Sequence, residues 1–113
     1  MRTLNIRTAL IVFVFLQSIA SAVTPAWTTK KLKSAYFMNS PSTNNYGLYV
    51  QSNETPVSEY SFKFDPNSQV SLQKANAMLS IVLLAIASNK SVNLYVGEGT
   101  DPSALLAVGI NSP

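Results

Sequence analysis

The 113-residue chain contains no cysteine and no histidine. The first absence removes the thiol nucleophile, the second the residue most used as a general base near neutral pH, and together they remove most zinc and copper ligand sets. Small exported domains commonly rest on disulfides; with none available, this core must hold by packing alone. Charge is also scarce, at 12% of residues, with Glu54, Glu59, Asp65, Glu98 and Asp101 as the five acids. There is one tryptophan, Trp27.

The formal charge of +3 counts Arg2 and Arg7, which belong to a leader rather than to the fold. Basic Arg2 and Arg7, the apolar run Ala9 to Leu16 and the small-x-small site Ala20-Ser21-Ala22 are the three parts of a secretory signal. The apolar run is far below the roughly 20 residues of a bilayer span, so cleavage between Ala22 and Val23 is preferred to a retained anchor. Residues 1–22 are therefore set aside, and residues 23–113 form one small domain with a secreted or periplasmic address. In that domain the six lysines nearly balance the five acids. The cluster Lys30-Lys31-Lys33 reads as a solvated strand edge, because nucleic-acid binding needs repeated cations with stacking partners.

What the chain does have is a clear change of period. Leu72, Ala75, Leu79, Val82, Leu83 and Ile86 recur at helical spacing across Ser71 to Ser88, and Val92, Leu94 and Val96 then alternate as in a strand. The change falls at Asn89, a residue tolerant of the left-handed conformation that ends many helices. Ser68 or Ser71 can cap the start. Ala77, Ile81, Leu84 and Ala87 extend apolar character to the opposite side, and a helix apolar nearly all round is usually buried on two sides. Either the monomer covers both sides or Ala77, Ile81 and Leu84 meet another subunit; the second is the preferred reading. The segment Ala77 to Ala87 is too short to span a bilayer.

Four further strands surround this unit. Lys31 to Met38 and Tyr46 to Gln51 read as a hairpin around the turn-forming Asn39 to Asn45, and Tyr60-Ser61-Phe62-Lys63-Phe64 alternates cleanly with its aromatics on one side. The last strand is Leu105 to Ile110, with Leu106, Val108 and Ile110 opposed to Leu105, Ala107 and Gly109. Val23 to Trp27 reads as an extended arm, and Trp27 as a lid on the bottom of the core in preference to a platform for a stacked ligand. The order is strand, strand, strand, helix, strand, strand, which makes an α+β fold.

Candidate chemistry is thin. Glu54 with Glu59, or Glu98 with Asp101, could in principle share acid and base work or hold a hard cation, but both pairs sit in turns where solvated acids are ordinary. Ser71 and Lys74 have Ser-x-x-Lys spacing without the supporting motifs of that enzyme class, and Gly97-Glu98-Gly99 lacks the third glycine of a phosphate loop. No cofactor, metal site or catalytic residue is assigned. Asn53-Glu54-Thr55 and Asn89-Lys90-Ser91 match the glycosylation sequon. Tyr36, Tyr46, Tyr49, Tyr60 and Tyr95, with Asn44, Asn45 and Asn93, supply rings and amides of the kind that hold sugars or peptides, and also suit ordinary strands with one wet end.

The element order, with Tyr60-Ser61-Phe62-Lys63-Phe64, Ala77-Met78-Leu79-Ser80, Leu83-Leu84-Ala85, Asn89-Lys90-Ser91-Val92 and Gly97-Glu98-Gly99, resembles the small OB-type binding subunits of bacterial multi-subunit toxins and similar exported proteins. Members often carry a cysteine before the third strand and another after the turn following the fourth; this chain has Val57-Ser58-Glu59 and Gly99-Thr100-Asp101 there. The resemblance implies a five-stranded OB-like barrel closed by one helix, assembled as a ring with the helices inward. It also implies a non-enzymatic module that recognises a glycan or protein partner. A structural or accessory envelope protein is the alternative expectation.

Overall fold

A computed structural model describes residues 22–110. Strand β1 (Ala26–Ser40) is followed by β2 (Asn45–Ser52), β3 (Glu59–Lys63), helix α1 (Gln69–Ala87), β4 (Ser91–Glu98) and β5 (Asp101–Ile110). The strands close in a ring in the order β1-β2-β3-β5-β4, with α1 connecting β3 to β4. The α+β class, the OB-like order and, among the described residues, the single helix are those expected.

The ring closes because β1 takes part in two pairings. Ala26 to Lys31 pair with β4, Trp27 facing Tyr95 and Thr29 facing Asn93, while Leu32 to Ser40 pair with β2. Between the two halves Lys33 is one residue too many, since Leu32 faces Ser52 and Ser34 faces Gln51. An extra residue in one strand bends it and shifts its alternation by one. Ahead of Lys33 the odd residues Trp27, Thr29 and Lys31 point outward; beyond it Ala35 and Phe37 turn to the core, and Ser34 and Tyr36 turn out. The loosest joint lies between β3 and β5, which meet in parallel at Ser61 and Ala104.

Of the Lys30-Lys31-Lys33 cluster, Lys30 and Lys31 pair with β4 alone, which leaves them the edge position expected, and Lys33 is the surplus residue of the offset. Two expectations for the strands need correction. The arm before β1 ends at Pro25, so Trp27 lies within the strand. The second concerns β5, which starts at Asp101 and is offset at Leu106, since Tyr95 faces Ala107 whereas Val96 faces Leu105. Leu105 is consequently core, and Val108 and Ile110 regain the inner phase beyond the offset.

Leu32, Leu48, Val50, Val92, Leu94 and Leu105 fill the ring, and Met78, Val82 and Ala85 enter it from α1. The buried line of the helix is Ala75, Met78, Val82 and Ala85. Small Ala75 and Ala85 at its ends let the backbone approach the ring closely. The helix is thus rotated from the expected stripe: Leu83 is 49% exposed, while Met78 and Ala85, outside that stripe, are buried. Its ends follow the expected chemistry. Ser68 Oγ accepts from the Ser71 amide, and at the other end Asn89 adopts φ 54° while Lys90 N–H donates to Ala85 and Asn89 N–H to Ile86.

The helix as a whole is longer than the apolar segment Ala77 to Ala87. Its 19 residues with mean hydropathy 1.6 suffice by length and composition to cross a bilayer. Here it is docked on the ring through its buried line. At the other end of the domain, Val23 N–H donates to Gly99 O at 2.7 Å, tying the start of the described chain to the β4–β5 turn. Gly97 permits this approach: its φ is +106°, and a Cβ there would lie 3.0 Å from Val23 Cγ1.

Candidate functional site

The outer surface of the ring carries two aromatic faces, one on each side of the Lys33 offset. Across β1, β2 and β3, Tyr36 and Tyr49 face each other in register and their rings stack, with centroids 4.9 Å apart and planes 7° from parallel. Polar groups lock this pair from both sides. Tyr36 OH donates to Glu59 Oε2 at 3.2 Å, Gln51 Nε2 donates to the same oxygen at 2.9 Å, and Ser34 Oγ donates to Gln51 Oε1 at 3.0 Å. Tyr49 OH donates to Asn45 Oδ1 at 2.7 Å and accepts from the Lys63 ammonium, which also lies 4.2 Å from the centre of the Tyr49 ring. Gly47 leaves the space that the Tyr49 ring occupies. Loss of hydration, and then the hydrogen bond to Glu59, hold the Tyr36 phenol above its ordinary value.

The second face spans β1, β4 and β5. Trp27 is 61% exposed, and its ring lies 5.0 Å from that of Tyr95 at a tilt of 40°. Beside them Thr29 Oγ1 donates to Asn93 Oδ1 at 2.8 Å. On β5 the same face carries Ala107 opposite Tyr95 and Gly109 opposite Asn93. Trp27 therefore does not lid the core, contrary to expectation. The signal was present in the sequence: Trp27, Thr29 and Lys31 share a phase whose other members are polar, and only the late placement of the strand start at Lys31 concealed it.

The sequence-derived candidates fall elsewhere. Ala77 and Leu84 are exposed on α1, with Leu84 at 60%, and Ile81 is half-buried between them. Among the described residues nothing covers this side of the helix. Of the two residues at the proposed cleavage point, Ala22 is exposed and Val23 is the one bonded to Gly99.

The paired acids have separate occupations. Glu54 takes both carboxylate oxygens to the Lys30 ammonium, at 2.9 and 3.0 Å, and accepts from Ser58 Oγ, whereas Glu59 belongs to the Tyr36 network. The Lys30 hydrogen bond, followed by that of Ser58, holds the Glu54 carboxyl below its ordinary value, and the same bond to Glu54 raises Lys30. Glu98 and Asp101 face each other across the β4–β5 turn, on the rim of a cleft of about 290 Å³ floored by Phe62, Ala104 and Leu105 at the β3–β5 joint. Asp101 Oδ1 is occupied by the Ser103 amide. Ser71 Oγ accepts from Asp65 N–H, and Lys74 lies over the Phe62 ring, so each has a packing role at the helix start. Among the described residues no three acids gather in a cation-binding group. Asn53 and Asn89 are both exposed.

No family model matches the chain, and a search of curated proteins finds no match.

Proposed function

We propose that the chain is an exported, non-enzymatic binding module, similar to a toxin B subunit, which recognises a glycan or protein partner on the outside of its ring. The observation that carries this reading is the 61% exposure of Trp27, which its pairing with Tyr95 of β4 places on the outer side of the ring. An indole of this size normally contributes to a core, and this one is held outward by the backbone itself. The lack of His and Cys in the sequence, and the separate occupations of its acids, favour binding over catalysis. The leader in residues 1–22 favours a secreted or periplasmic site of action.

Assembly is part of the reading. The α1 side bearing Ala77, Ile81 and Leu84, with Leu83 beside it, has no charged residue between Lys74 and Lys90. A second copy offers the same uncharged surface in return, as a symmetric oligomer requires. Light scattering of the mature protein after gel filtration is expected to show a defined oligomer that Ile81→Glu or Leu84→Glu breaks into monomers. A monomeric wild type, together with a glycan array free of hits, would reject the reading.

The bare helix side also supports a second reading, an accessory envelope protein docked through α1 to a different chain. Crosslinking in the native envelope would then recover a heteromeric partner, lost in Leu84→Glu, from a protein that binds no glycan.

A further inference from the structure

We infer that removal of the leader fastens the ring. The α-ammonium released at Val23 keeps the bond to Gly99 O and becomes the counter-charge of Glu98 and Asp101, so the cleaved chain is clasped more firmly than the leader-bearing one. This rests on the cleavage reading of residues 1–22.

The seat of the amine is fixed by backbone contacts. Val23 N–H donates to Gly99 O at 2.7 Å, and Gly99 lies in the turn between Glu98 and Asp101, which face each other in register. Residues 23–25 lie against Gly97, where a Cβ would come within 3.0 Å of Val23 Cγ1 and 3.5 Å of Thr24 O and Pro25 Cα. Ala22 is exposed and Val23 half-buried, so the chain passes from free to seated at the bond that is cut.

The turn has negative charge without a partner. Carboxylates directly opposite one another across a strand pair repel. Asp101 Oδ1 accepts from the Ser103 amide, but the Glu98 carboxylate has no hydrogen bond or ion pair among the described residues. Lys63, which lines the same cleft, gives its ammonium to Tyr49. The balancing cation is the chain's own terminus. While the leader is attached, Val23 has a single amide proton, and Gly99 takes it. Hydrolysis of the Ala22–Val23 bond leaves the carboxylate on Ala22 and the nitrogen on Val23, where it takes up a proton. One of its N–H groups stays with Gly99, and the others are free to make charge-assisted bonds to the two acids.

The test compares two amino termini. The exported protein, whose mass fixes its first residue, is expected to begin at Val23. A form beginning at Ser18, made without export, carries its ammonium about 17 Å further along an extended chain, beyond the Debye length of about 10 Å at 0.1 M salt. Both are melted at a pH of about 6.5, below the ordinary α-amino value of about 7.7–8.0, with and without Glu98→Gln plus Asp101→Asn. In the Val23 form the double change should lower Tm by about 4 °C or more. In the Ser18 form it should leave Tm unchanged or raise it, since there it removes only repulsion. In about 1 M salt the two responses should converge. Equal Tm shifts in the two forms at low salt would overturn the clasp and leave the cleavage reading standing. An exported protein beginning at any other residue would overturn both, and the binding reading, which does not depend on the terminus, would be unaffected.

Discussion

The two aromatic faces along β1 differ in how they use their rings. Tyr36 and Tyr49 cover each other, and their hydroxyls are committed to Glu59, Asn45 and Lys63, so that face is closed by its own side chains. Trp27 leans on Tyr95 at 40° and remains mostly in solvent beside Ala107 and Gly109. Both are surface aromatic pairs of similar spacing. What separates a pair that holds the sheet together from one available to a ligand is the hydrogen-bonding of its neighbours and the size of the side chains next to it.

Adding a second residue beside Lys33 would break the comparison most completely. The offset absorbs one surplus residue, so a further one turns Tyr36 toward the core and Ala35 and Phe37 into solvent. The insertion is expected to abolish the cooperative thermal transition, whereas deleting Lys33 leaves an unbroken alternation with Trp27 and Tyr36 both outward and should keep it. An insertion variant that still melted cooperatively, with both ring pairs intact by NMR, would show that the offset does not set the faces.

A smaller split is expected between the faces themselves. Tyr49→Ala loses the stack, the bond to Asn45 and the contact with Lys63, at a cost of about 2–3 kcal/mol. Trp27→Ala loses one tilted ring contact, at about 1 kcal/mol. Urea midpoints at constant slope would measure both. Equal losses would mean that Trp27 is a structural residue after all.

Proton titration should sharpen the contrast further. The Tyr36 phenol holds its proton more tightly in the folded chain than in the unfolded one, so its contribution is complete below the ordinary phenol value of 10.0 and is lost as pH rises through the raised one. Absorbance titration of tyrosinate should show a late-ionising phenol that is absent from Tyr36→Phe. The smallest effect lies outside both faces. Glu54, lowered by Lys30, contributes stability that is present above 4.5 and fades as pH falls through its lowered value, so Glu54→Gln should flatten the acid limb of the stability profile slightly. Added salt should reduce the difference between the two proteins.

Much of the architecture was legible in the residues. Tyr60, Phe62 and Phe64 alternate without ambiguity, and Asn89 marks the helix end because its backbone must turn left-handed there. The offsets at Lys33 and Leu106 were not legible. In β5 the neighbouring leucines Leu105 and Leu106 satisfy either phase equally, and only pairing with β4 selects Leu105 for the core. The rotation of α1 was hidden for a related reason. Apolar residues on most of its circumference leave the docking side to be set by where a small ring needs small residues, at Ala75 and Ala85. The Trp27 face combines residues from three strands and becomes visible only once their registers are known.

The bond between Val23 and Gly99 has a practical bearing on how this protein can be handled. Whatever is attached ahead of Val23 leaves the ring at the β4–β5 turn, a short run of extended chain away from Trp27. Capturing the protein on a chip through an amino-terminal tag would place the solid support against the indole. A blank sensorgram obtained that way would measure the orientation of the captured molecules.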